Sequence, residues 1–81
     1  MLIRLDPRSD QPIYVQIERA VAAQIDSSSL APGDRLPSAR SLGEALGVNM
    51  HTVLKAYSEL EDRGMVEMRR GRGGVVVSER A

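Results

Sequence analysis

Apolar residues recur along the chain first with the period of a helix and then in two short strand-like runs. Ile13, Ile17, Val21 and Ile25 stand every fourth residue, which aligns them along one side of a helix. Pro12 suits the first turn, where its missing N–H is not needed, so the pattern predicts a first helix over roughly 12–28. The serines at 27–29 and the run Ala31-Pro32-Gly33-Asp34 break that helix and form a turn. Leu36-Pro37 then leads to Ser38, whose hydroxyl suits an N-cap, and a second, short helix is predicted over about 39–46. Gly47 can take the left-handed conformation that ends a helix, and Val48 is expected as a buried plug. Asn49 is a strong N-cap for a third helix reaching about Arg63, which Gly64 ends as Gly47 ends the second. Residues 65–68 and 74–77 read as short strands, joined by Arg69-Arg70-Gly71-Arg72-Gly73 as the tip of a hairpin. The expected fold class is mainly α with a small β-hairpin.

The stretch SARSLGEALGVNMHTVLKAYSEL holds the most specific pattern. Two helices meeting steeply through a three- or four-residue turn need small residues where their backbones approach and apolar residues on the facing sides. Gly43 occupies the close-approach position and Gly47 makes the turn. Leu42, Leu46, Val48, Val53 and Ala56 point to the shared interior. An αα-hairpin of some other helical domain is the plain alternative. The basic, glycine-rich hairpin that follows favours a winged helix-turn-helix, a recognised DNA-binding arrangement.

Size and composition narrow the function. With 81 residues the chain forms one compact domain, 1–81, with a modest core and no room for a deep catalytic cleft. It has no cysteine and a single histidine, His51, which removes disulfides, thiolate chemistry and the usual zinc ligand sets. No catalytic residues, metal or cofactor are expected. The N-terminus lacks the regions of a signal peptide, and no apolar run approaches the roughly 20 residues of a spanning helix, so a cytoplasmic protein without membrane contact is expected. The 11 basic and 11 acidic residues cancel, which argues weakly against nucleic acid. Their distribution matters more: residues 1–34 hold three arginines against five carboxylates, whereas 35–81 hold eight basic residues against six acidic ones.

Pro32-Gly33-Asp34-Arg35-Leu36-Pro37-Ser38, Arg40, Leu42, Leu46-Gly47-Val48, Thr52-Val53, Ala56-Tyr57, Leu60, Gly64 and Gly71-Arg72-Gly73 together resemble the N-terminal domain of the GntR family of bacterial transcription regulators. The resemblance covers about residues 11–78 and is nearest to the short-tailed YtrA-like branch. It implies a homodimeric repressor bound to double-stranded operator DNA, with a recognition helix in the major groove and a wing tip in the minor groove of each half-site. A C-terminal effector or dimerisation region normally follows. This chain stops almost at the end of the wing, which we read as trimmed rather than unusually minimal, and the isolated chain is expected to dimerise weakly. The first helix or the residues from Leu2 to Leu5 would contribute to that contact, unless the latter form a short strand on their own domain.

Helix geometry assigns roles. With Val53, Ala56, Tyr57 and Leu60 as the buried stripe, the exposed face of the third helix carries Asn49, Met50, His51 and Thr52 and continues to Lys55. Asn49 and Thr52 suit bases or phosphates, His51 a guanine or a phosphate, and Met50 a thymine methyl. For Asn49 a pure capping role is the alternative, and for His51 an exposed bystander. Met50 and His51 depart from the residues usual in the family, which leaves the operator sequence open. Arg40 stands where the family binds phosphate, with an ion pair to Glu44 as the alternative. Ser38 caps a helix whose N–H groups point toward the duplex. Arg35 lies in the turn before that helix, either at the duplex beside Ser38 and Arg40 or buried against its own domain. Arg69, Arg70 and Arg72 with Gly71 and Gly73 resemble a minor-groove tip, against the alternative of a solvated charge run. Tyr14 and Tyr57 are expected at the edge of the core, and two aromatics give little support to single-strand stacking. A winged helix used for protein association is the second functional class, and an enzyme a distant third.

Overall fold

A computed structural model describes residues 3–69 and 73–77. Three helices, α1 (Ile13–Asp26), α2 (Ala39–Leu46) and α3 (Met50–Asp62), precede two strands, β1 (Val66–Arg69) and β2 (Gly73–Val76). The apolar stripe of α1 meets that of α3. Ile17, Val21 and Ile25 on the first helix and Val53, Ala56, Tyr57 and Leu60 on the third are all wholly buried, whereas Ile13 is half-buried at the margin. These seven side chains are the centre of the core. Burial of each large aliphatic contributes on the order of 1.5–3 kcal/mol. An ion pair at 2.9 Å between Arg63, the C-cap of α3, and Glu18 on α1 closes the far end of the same contact.

The helix boundaries follow from the caps. The Ser38 hydroxyl accepts from the Ser41 N–H at 3.0 Å, and Asn49 Oδ1 accepts from the His51 N–H at 2.8 Å. Each thereby satisfies one of the donors that a helix leaves free at its start. Gly47 ends α2 with φ of 71°, a conformation a side chain would strain. The first helix stops at Asp26, short of the expected 28, because Ser28 takes φ of 65° and Leu30 returns its N–H to the Gln24 carbonyl.

The strands pair antiparallel, Val66 with Val76 and Arg69 with Gly73, one residue away from the expected limits. Met65, expected to begin the first strand, lies buried just before it, and Val77 lies exposed beyond the second. The turn after α1 supplies more than a reversal. Its residues Asp34 to Leu36 run along the outer edge of β2: the Val76 N–H donates to the Asp34 carbonyl at 2.9 Å and the Leu36 N–H to the Gly74 carbonyl at 2.8 Å. The hairpin is thereby tied to the segment that leads into α2.

At the N-terminus, Ile3 is buried in the core cluster and Leu5 packs against it. These two side chains are therefore engaged with their own domain, although residues 3–5 form no strand. The Gln16 side chain holds this segment by accepting from the Asp6 N–H and donating to the Asp6 carbonyl, at 2.7 and 2.9 Å.

Candidate nucleic-acid interface

The turn between α2 and α3 is set by Gly43. A Cβ on this residue would lie 2.8 Å from the Val48 carbonyl oxygen and 3.4 Å from the Met50 Cα, so only a glycine lets the start of α3 come so close to the back of α2. Val48, expected as a buried plug, is half-buried, as is Leu46. Both pack on the rim of the core because the turn they flank lies at the surface.

A second constraint comes from Tyr57. It is wholly buried rather than at the edge of the core, and its hydroxyl donates to the Pro37 carbonyl at 2.8 Å. Burial pushes its phenol far above the ordinary tyrosine value. The middle of α3 is thus bonded to the residue before the cap of α2, which fixes the angle at which α3 crosses it. That polar tie was not legible from the position of Tyr57 in the buried stripe.

With its apolar stripe so engaged, α3 turns Met50, His51, Leu54, Lys55 and Ser58 outward. Asn49 is exposed just before them; its oxygen serves as the cap, and its amide N–H groups have no partner among the described residues. Thr52, expected on the exposed face, is only half exposed, because one residue before Val53 it sits on the shoulder of the buried stripe. Lys55 lies across the face toward α1, with Nζ 4.3 Å from the centre of the half-buried Tyr14 ring. Leu54 and Ser58 were missing from the expected surface. Three- and four-residue steps from Met50, His51 and Lys55 would have found both.

Arg40, on the first turn of α2, has a side chain 81% exposed, with Nε 3.6 Å from a Glu44 oxygen. The ion pair weighed against phosphate binding therefore exists in the free domain. So exposed a pair is worth little and leaves the guanidinium accessible. Arg35, for which burial by its turn was one of two alternatives, is exposed, because the edge pairing with β2 leaves its side chain pointing outward. It lines a shallow groove of about 370 Å³ with Arg69, Pro32, Gly33 and residues 75–77.

At the hairpin, Arg69 and Gly73 are corrected from tip to strand. They form the last pair of the ladder, and Arg69 Nε bonds to Glu67 at 3.2 Å. Arg70, Gly71 and Arg72 lie outside the described residues. Among the described residues no helix is long and apolar enough to cross a membrane.

The chain is similar to known proteins in sequence and in fold. Residues 13–76 match the family described as bacterial regulatory proteins, gntR family. The HTH-type transcriptional repressor YtrA of Bacillus subtilis is 45% identical over 80 residues, which are 99% of this chain and 61% of that protein. The chain thus spans about three fifths of this curated relative. A solved structure of YtrA from Sulfolobus acidocaldarius, a GntR-family transcription factor, superposes with a TM-score of 0.90 at 45% identity, covering 96% of this chain and 82% of that one. The DNA-binding domain of AraR in complex with operator ORX1 superposes with a TM-score of 0.81 at 26% identity, covering 93% of both chains.

Proposed function

The chain belongs to the gntR family of bacterial regulatory proteins, and from that premise we propose that it is the operator-binding domain of a transcription repressor, gripping double-stranded DNA by sequence. The observation that carries this reading is the outward face of α3. Its buried stripe is complete, yet Asn49, Met50, His51 and Lys55 stand exposed at the end that Gly43 holds against α2, while the Tyr57–Pro37 bond fixes the middle of the helix. A helix so held has the width to enter a major groove, where each base pair presents its own donor and acceptor pattern. Ser38, Arg40 and the first N–H groups of α2 would meet the phosphates beside it and set register. Thr52 would act from the shoulder of the face. The run Arg69-Arg70-Gly71-Arg72-Gly73 would follow the adjacent minor groove, where clustered arginines suit a negative potential. Binding rather than catalysis is the function, as for the regulators the chain resembles.

The AraR domain bound to its operator supports the duplex as the partner, and the B. subtilis relative supports repression. We further read the complete protein as a homodimer acting in the bacterial cytoplasm, with each domain on one half-site. Selection of bound sequences from a random duplex pool, followed by anisotropy titrations of a winner and a scrambled duplex at several salt concentrations, tests the reading. Enrichment of one motif and a steep negative salt slope on both duplexes are expected. Equal affinity for winner and scrambled DNA would refute sequence-specific binding.

A further inference from the structure

Among the described residues three large apolar side chains are exposed, and two of them, Met50 at 40% and Leu54 at 37%, stand four residues apart on α3. Isolated apolar residues on a surface need no explanation. These two are not isolated, since a four-residue step places them side by side on one helix ridge. The fold does not use them: Val53, Ala56, Tyr57 and Leu60 already fill the contact of α3 with the rest of the domain and are wholly buried. Their neighbours on the open face, His51, Lys55 and Ser58, are polar. The pair is therefore an apolar strip within a polar surface, continuous with the face assigned above to the major groove.

The base edges in that groove offer hydrogen-bonding groups and one apolar group, the C5 methyl of thymine. We propose that Met50 and Leu54 together read thymine methyl groups at two positions of a half-site. Four residues rise about 6 Å along a helix and successive bases about 3.4 Å along the duplex, so the two thymines lie one or two base-pair steps apart. The proposal rests on the DNA-binding reading and adds Leu54 as a specificity-determining residue.

Deoxyuridine provides the test, because it keeps every hydrogen-bonding group of thymine and lacks only the methyl. The 81-residue chain is titrated against a duplex selected from a random pool and against copies in which each thymine in turn is replaced by deoxyuridine. Replacement at two neighbouring positions is expected to weaken binding about three- to fivefold each, the value of one buried methyl. Leu54→Ala is expected to lose the response at one position and Met50→Ala at the other, with unchanged thermal unfolding. If Leu54→Ala lowers thermal stability, Leu54→Gln takes its place. A parent that selects a motif yet ignores every deoxyuridine overturns the methyl reading and leaves the DNA-binding reading intact. Responses that survive in both variants overturn it as well, since another group then contacts the methyls. If no motif is selected, the DNA-binding reading fails and this proposal with it.

Discussion

Tyr57, at the centre of α3, donates its hydroxyl proton to the carbonyl of Pro37, the residue before the Ser38 cap of α2, at 2.8 Å. Tyr57→Phe keeps the ring packing and removes the bond, so a loss of about 1–2 kcal/mol in urea unfolding is expected. The phenol should also give the stability a pH limit. Its folded-state pKa is raised by burial, so its contribution is complete below the unfolded tyrosine value near pH 10 and is lost as the pH rises beyond it. The parent is expected to lose stability in that alkaline range, and Tyr57→Phe to lose less.

Gly43→Ala tests the close approach of the two helices. The new methyl meets the backbone at Val48 and Met50, which cannot rotate away as a flexible side chain would. A cost of about 1–3 kcal/mol in thermal or urea unfolding is expected. Because the displaced residues begin α3, affinity for the selected duplex should fall further than the remaining folded fraction accounts for.

Arg40 and Glu44 test the competition between an ion pair and a phosphate. Arg40→Ala should weaken binding to specific and scrambled duplexes alike and reduce the salt slope by about one. Glu44→Gln should strengthen both slightly, by removing the carboxylate that Arg40 leaves on binding. Both side chains are largely exposed, so unfolding free energies should move by less than about 0.5 kcal/mol. An Arg40→Ala variant with the parent's salt slope would remove Arg40 from the phosphate contacts.

His51 and Val53 separate reading from folding. His51 is exposed and Val53 is wholly buried. If His51 reads a base, His51→Ala should cost about 1–3 kcal/mol on the selected duplex and much less on random DNA, with the melting curve unchanged. Val53→Asp places a charge between α2 and α3 and should unfold the domain and abolish binding altogether. A parental ratio of specific to random binding in His51→Ala would reassign specificity to the other residues of the face.

The helices, their caps and the turn at Gly47 were legible because each depends on residues close in sequence: an apolar repeat, a Ser or Asn cap, a glycine. The third extended segment was not. The run Ala31-Pro32-Gly33-Asp34 reads as a turn, and nothing local shows that residues 34–36 go on to pair with β2 some 40 positions later. The choice between exposure and burial for Arg35 depends on the same distant pairing and was open in the sequence for the same reason. The strand limits slipped by one residue because register is set by that pairing and not by the apolar run alone. In the candidate interface, helical period was enough to put Met50, His51 and Lys55 outside. Period also held the answer for Leu54 and Ser58, which three- and four-residue steps place on the same face. Ser28 at φ of 65° is a conformation that serine does not announce.

The edge pairing of residues 34–36 also has a mechanical meaning. Leu36 hangs from Gly74 of the hairpin by a 2.8 Å hydrogen bond, and two residues later Ser38 caps α2. The base of the hairpin and the start of α2, both assigned above to the duplex, thus spring from one short strip whose hydrogen bonds tie the position of one to that of the other. On the proposed operator that tie would put part of the work of fitting on the DNA, in an amount set by how stiff the intervening base steps are. Base pairs that no side chain touches would then weigh in the choice of site through their stiffness alone.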